Sequence, residues 1–218
     1  LALEAATVKR KCEASLRRLA VDCLDVYLLH RRDYPLERAV EMVDGLEELV
    51  RVGKIRYYGW STDDVARARI FAVGEHCIAI EHRLNVFNDN LAMLDLCQAQ
   101  NLASLNRGPL LMGVLTGRWS AQTKLAQDDP RAPWFEHQEF LKVLACAEEL
   151  KPLLTSGGRF AVQGALGWVW ARSPLTIPLP GFRSLAQMEA LVQAQQFGPL
   201  PAESMREINE RVERAMRD

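Results

Sequence analysis

The chain is poor in the residues that build metal centres and covalent frameworks. It has four histidines, and no two of them stand at the spacing of a zinc ligand pair. Its five cysteines, at 12, 23, 77, 97 and 146, include no CxxC pair. That excludes a disulfide scaffold or a thiolate zinc site and points to a reducing, cytoplasmic setting. Cys12, Cys23, Cys97 and Cys146 fall in apolar-periodic stretches, where a thiol acts as a small core residue. There is no excess charge: 27 basic residues against 28 acidic ones leave a net charge of -1. A nucleic-acid or membrane partner would call for a basic surplus, so neither is expected. No apolar run approaches the roughly 20 residues of a membrane-spanning helix.

What remains is a globular composition. Of 218 residues, 49% are hydrophobic and 25% charged, enough for one large domain or two small ones. Within it, Val26-Tyr27-Leu28-Leu29 is an apolar run of strand length that ends at His30. A continuous apolar run is how a strand reads when both faces of a parallel sheet are covered. A titratable ring where such a strand leaves the core stands where α/β proteins keep their chemistry. A histidine that merely caps the strand end is the plainer alternative. Arg31 and Arg32 beside it read as exposed.

The periodicity predicts an alternation of elements. Helices are expected over 7–20, 37–52, 65–74, 91–100, 138–154, 161–171, 185–195 and 201–216. Strands are expected over 25–30, 55–61, 77–83, 102–107 and 176–179. Thr62 or Asp63 would cap the 65–74 helix. The stretch 119–137 has no clean period and reads as a long irregular loop, with Trp119 and Trp134 as candidates to line a pocket. Trp168 and Trp170 read as core. The last helix, strongly charged, would lie on the surface with Ile208, Val212 and Ala215 inward.

Strand followed by helix implies a parallel sheet. An open doubly wound sheet and a (β/α)8 barrel both satisfy the pattern. Each strand ends in a polar or glycine-bearing position: His30, Ser61, Glu81, Arg107 and Gly181. A doubly wound sheet gathers its ligands at one switch point, whereas a barrel spreads them over its strand ends. The barrel is therefore favoured. With about three βα units short of eight, it would be an incomplete one, a single domain over 1–218.

The same residues resemble a known family. Ser15-Leu16-Arg17-Arg18-Leu19 followed by Asp25-Val26-Tyr27-Leu28-Leu29-His30 is similar to the central signature of the aldo-keto reductases. So is the run from Leu46 through Gly53-Lys54-Ile55-Arg56-Tyr57-Tyr58-Gly59-Trp60-Ser61. Gly108-Pro109-Leu110-Leu111-Met112-Gly113-Val114-Leu115-Thr116-Gly117-Arg118 resembles the family's cofactor loop, and Ile177-Pro178-Leu179-Pro180-Gly181-Phe182-Arg183-Ser184 its late phosphate segment.

The resemblance implies a (β/α)8 barrel that reduces small carbonyl substrates with a nicotinamide cofactor, usually NADPH. It makes His30 the residue that orients the carbonyl. The family's proton-donating tyrosine, with its lysine and aspartate, belongs to the first βα units, and residues 1–7 are too few to hold them. The chain alone is therefore expected to turn over poorly. Ser61 would hold the nicotinamide amide, with Thr62 in place of the usual asparagine. Glu81 replaces a glutamine, and a carboxylate cannot donate a hydrogen bond. Arg107 replaces a stacking tyrosine, and a guanidinium can stack as well. Gly108, Pro109, Leu110, Met112, Gly113 and Leu115 would pass the pyrophosphate. Gly181 and Phe182 would be cofactor-binding positions of the late phosphate segment, with Arg183 meeting the adenosine 2′-phosphate and Gln187 the adenine. The closing acid–amide pair falls on Ala190 and Leu191. Those departures leave open a cofactor-binding regulatory subunit that binds NADP without turnover. A phosphate-binding barrel using His30 as a base is a third possibility.

Overall fold

A computed structural model describes residues 5–31, 34–120, 122–126, 128–129 and 131–217. Arg32, read above as exposed, lies outside the described residues. The chain divides into two compact units, 1–82 with 90–105, and 83–89 with 106–218.

The first unit alternates helix and strand: α1 (Ala5–Leu19), β1 (Leu24–Leu29), α2 (Ala39–Arg51), β2 (Ile55–Ser61), α3 (Val65–Ala72), β3 (Cys77–Arg83), α4 (Leu91–Gln100) and β4 (Ala103–Arg107). The last residues of β3 and β4 belong to the second unit. β1 to β4 lie side by side in chain order, and β1–β2 and β2–β3 pair in parallel. α1 buries Val8, Cys12 and Leu16; α2 buries Met42, Val43, Leu46 and Leu49. Both sets recur at three and four residues, the spacing that puts them on one helix face. They cover one side of the strands. Trp60 of β2 reaches that side, stacking on Phe71 of α3 at 4.6 Å and meeting Tyr34 edge-on at 6.3 Å. Its indole N–H donates to the Arg31 carbonyl at 2.8 Å, so the ring is buried without an orphaned donor.

A polar cluster ties α2 to the strands. Glu47 accepts from the Tyr58 hydroxyl at 2.6 Å and the His76 amide at 3.1 Å, and its second oxygen lies 2.6 Å from His76 Nδ1. Burial pushes the Glu47 carboxyl up, but the bonds from Tyr58 and His76 outweigh it and leave the group below its ordinary range.

The second unit carries α5 (Gln138–Leu154), α6 (Ala161–Arg172), β5 (Thr176–Leu179), α7 (Leu185–Gln193) and α8 (Ala202–Arg217). α6 is its central helix and packs against α5, α7, α8 and β5. It is apolar on nearly every side, with Ala161, Ala165, Leu166, Trp168 and Val169 buried. A helix apolar all round belongs inside. Gln163 fixes its start: the side-chain oxygen accepts from the Phe160 amide at 2.8 Å, and the side-chain amide donates to the Ala190 carbonyl of α7 at 3.1 Å. α8 is amphipathic, with Met205 and Ile208 buried while Val212 and Ala215 are half-buried. Arg172 and Asp89 close an ion pair at 2.6 Å.

The structure corrects four local expectations. α3 is capped by Asp64, whose carboxylate accepts from the amides of Ala66 at 2.8 Å and Arg67 at 3.4 Å. Thr62 instead accepts from the Asp64 amide at 3.1 Å, a tight turn that moves the helix start along the chain. The first turn of the 37–52 segment is a 3-10 turn, Leu36–Arg38. The 119–137 loop contains a short 3-10 helix, Ala132–Glu136, started by Pro133 in its first turn. Cys23 is half-exposed rather than core, whereas Cys77 is buried.

Candidate cofactor site

In the first unit the parallel register sets a row of polar residues across the sheet. Leu29 pairs with Trp60, and Ser61 with Glu81. Extending the β1–β2 pairing by one residue brings His30 opposite Ser61. Residues paired across strands share a sheet face, and neighbours along a strand alternate. Trp60 turns to the helices, so Ser61 and Glu81 belong to the other face at the carboxyl ends of the strands, while His30, just past β1, borders residues of α1 and α2. His30 is exposed, and a hollow of about 160 Å³ at this end of β1 is lined by His30, Lys11, Arg31, Met42 and others.

Ser61 is fully buried, and its Oγ has no hydrogen-bond partner among the described residues. A buried hydroxyl is normally satisfied. Thr62, also buried, donates its amide to the Glu81 carbonyl at 2.8 Å. Glu81 is half-buried. His82, the next residue, is wholly buried with Nε2 2.7 Å from the Ser104 hydroxyl, a structural pair.

The second unit holds a large cleft, about 890 Å³. Two segments far apart in sequence form its walls. One is Gly108, Pro109, Leu110, Met112 and Gly113; the other is Gly181, Phe182, Arg183 and Gln187. The first segment turns sharply, with φ of 51° at Met112 and 106° at Gly113. The glycine there is in a conformation that side-chain-bearing residues rarely adopt. The backbone at Arg183 is tied to α7: its amide donates to Gln187 Oε1 at 2.7 Å, while Ser184 caps α7 by accepting from the Gln187 amide at 3.3 Å, and the Arg183 side chain is exposed. Leu115 is buried and does not line the cleft. Arg107 is half-buried at the end of β4 and also does not line the cleft.

The cleft adds Asp129, Arg131 and Val162, which the motifs did not single out, to Arg118 at the end of the first motif and to Trp119 and Trp134, the expected pocket residues of the irregular loop. Asp129 and Arg131 form a two-pronged ion pair at 2.5 and 2.8 Å, and the Arg131 guanidinium lies 4.8 Å from the Trp119 ring centre. The side-chain bonds from Arg131, followed by its backbone amide and, least of all, the charge of Arg183, pull the Asp129 carboxyl down to about 2. Trp119, Phe135, Phe140 and Trp134 meet ring to ring at 5.1–5.9 Å, which gives the loop its own small apolar core. Ala190 and Leu191, where the family pattern has an acid and an amide, also line the cleft.

The family model for the aldo/keto reductase family matches residues 2–213. The chain belongs to the aldo-keto reductase family. The chain is 26% identical over 201 residues to aldo-keto reductase yakc [NADP(+)] of Schizosaccharomyces pombe, covering 88% of this chain and 57% of that protein. It is 27% identical over 214 residues to the NADH-specific methylglyoxal reductase of Escherichia coli, covering 95% of this chain and 66% of that protein. Among solved structures, the glycerol dehydrogenase of Gluconobacter oxydans superposes with a TM-score of 0.85 at 28% identity, covering 99% of this chain and 66% of that one. The fold is thus α/β of the (β/α)8 barrel type. The chain spans 57–66% of the length of these relatives.

The cleft of the second unit suits the phosphates of a nucleotide, since it offers close backbone approach at Gly113 and the cation of Arg183. Among the described residues no cluster of His, Cys, Asp or Glu could hold a metal ion. No helix among them is long and apolar enough to cross a membrane.

Proposed function

We propose that this reductase chain serves NADPH-dependent reduction of small carbonyl compounds, with His30 orienting the carbonyl. The cleft of the second unit carries the reading: two motif segments about seventy residues apart in sequence line one cavity. A reduced nicotinamide, when bound, supplies hydride to the carbonyl carbon. The chain's own residues bind and orient. Ser61 Oγ holds the ring amide. The 108–113 turn passes the pyrophosphate with backbone groups. Arg183 meets the 2′-phosphate with a charge-assisted hydrogen bond, helped by its place before the α7 N-terminus. His30 donates a hydrogen bond to the carbonyl oxygen as negative charge grows there.

The preference for NADPH over NADH rests on Arg183. The relatives' names point both ways, one to NADP(+) and one to NADH. Fluorescence titration of NADPH and NADH decides it. NADPH binding at least tenfold tighter than NADH supports the reading; no binding of either at millimolar concentration refutes it. Turnover by the 218-residue chain is a separate matter. Without the general-acid tyrosine of the family pattern, the proton step loses a factor of about 10²–10⁴. Rates comparable with a complete family enzyme would contradict that part.

A further inference from the structure

Trp119 and Arg131 line the large cleft together with Gly113. The Gly113 peptide is fixed at both of its polar groups. Its amide donates to the Leu110 carbonyl at 3.0 Å, and its carbonyl accepts from the Thr116 hydroxyl at 2.7 Å. Its bare side meets a ring: a Cβ there would lie 3.4, 3.7 and 3.9 Å from three atoms of the Trp119 indole. Trp119 therefore covers the glycine at ordinary van der Waals distance. The Arg131 guanidinium backs the indole in turn, 4.8 Å from its ring centre. Asp129 holds that guanidinium at Nε and Nη2, at 2.8 and 2.5 Å, and also accepts from the Arg131 amide at 2.9 Å. A two-pronged pair fixes the plane of the cation as well as its place.

We propose that Arg131 is a positioning residue for the turn at Gly113, acting through Trp119. Its charge is balanced by Asp129 and its face is taken up by the indole, so it meets no phosphate itself. It supplies a fixed stop instead. The indole cannot back away from Gly113, and the turn holds its shape before a pyrophosphate-bearing ligand arrives. A turn ordered in advance spares the ligand the cost of ordering it. The role rests on the nucleotide reading of this cleft and goes beyond it, by assigning one of the cleft's cations to shape rather than to charge.

Calorimetric titration of ADP into the intact chain tests it, beside Asp129→Asn, Arg131→Gln, Arg131→Lys and the double variant Asp129→Asn/Arg131→Gln, each first matched to the parent by far-UV circular dichroism. Each single variant should weaken ADP by about 5- to 30-fold, the worth of one stacked cation. The double variant should be no weaker than the worse of its two singles, because the pair acts as one unit. A direct phosphate ligand would behave oppositely. Asp129→Asn would free the cation and tighten ADP, and Arg131→Lys would keep its affinity, since lysine meets phosphate as a point charge. Either of those results, single variants all within twofold of the parent, or losses that simply add in the double variant overturns the role and leaves the nucleotide reading standing. Failure of the parent chain to bind ADP at millimolar concentration overturns both.

Discussion

Replacing Gly164 by alanine sets two opposing effects against each other at one buried position. Alanine is the better helix former by about 1 kcal/mol. Its Cβ, however, would lie 1.9 Å from the Leu154 carbonyl oxygen and 2.7 Å from the Leu154 Cα. An ordinary carbon–oxygen contact is about 3.3 Å. α6 would therefore have to move by more than an ångström away from the end of α5. Its far side carries Leu166, 2% exposed, so that side is closed as well. Overpacking of this kind costs about 1–3 kcal/mol, and the obstacle here is backbone rather than a pliable side chain, so the upper end applies. The net loss is then about 2 kcal/mol. For a chain of this size that lowers the melting temperature by about 4–8 °C. Gly181→Ala is the control, because nothing lies within 4 Å of its added Cβ. Scanning calorimetry of the two variants checks the reasoning. Gly164→Ala melting at or above the parent would show that helix propensity wins and that the α5–α6 contact is not as close as described. Val162, one turn-fraction away, lines the large cleft, so Gly164→Ala should also weaken dinucleotide binding below the melting range.

Arg183→Ala should weaken 2′,5′-ADP by about 10- to 100-fold and leave 5′-ADP nearly unchanged, the loss of one charge-assisted bond to phosphate, read by isothermal titration calorimetry. Ser61→Ala should leave thermal stability within about 0.5 kcal/mol, since the hydroxyl has no protein partner to lose, while weakening the nicotinamide half of the ligand. The Asp129 carboxyl, near 2 in the folded chain against an ordinary 3.8, holds its loop fully above about pH 4, and that support fades as pH falls through 2. Tryptophan fluorescence from Trp119 should follow this descent, and Asp129→Asn should flatten it. The Cys77 thiol, pushed up to about 12 by burial, should resist alkylation at pH 8 until the chain unfolds.

The strand ends were legible from the sequence because their chemistry is local. An apolar run that stops at His30 or Ser61 announces both the strand and the edge where its polar residue emerges. The turn at Gly113 and the Arg183 segment were legible through motif order, and the structure brings their residues to one cleft. The Asp129–Arg131 clasp was not legible. Its residues sit in a stretch without period, and nothing in the sequence says that a two-residue spacing there folds into a bidentate pair against Trp119. The cap of α3 was misplaced for a related reason. Thr62, Asp63 and Asp64 are all competent caps, and only the turn closed by the Thr62 hydroxyl selects the third. The role of Gln163, bonded to both Phe160 and Ala190, depends on the packing of α6 against α7, which no periodicity encodes.

β1 stands at the end of the sheet order, with β2 as its neighbour, and on the face it shares with Ser61 the side chains of Val26 and Tyr57 are 41% and 42% exposed. A strand border of this kind is a template on which another backbone can register. The charges flanking it, Asp25 with Arg56 at 3.4 Å, act as gatekeepers against indiscriminate stacking. Handling of the isolated polypeptide at high concentration is thus governed less by its chemistry than by that border: neutralising Asp25 should turn a tractable solution into a precipitating one.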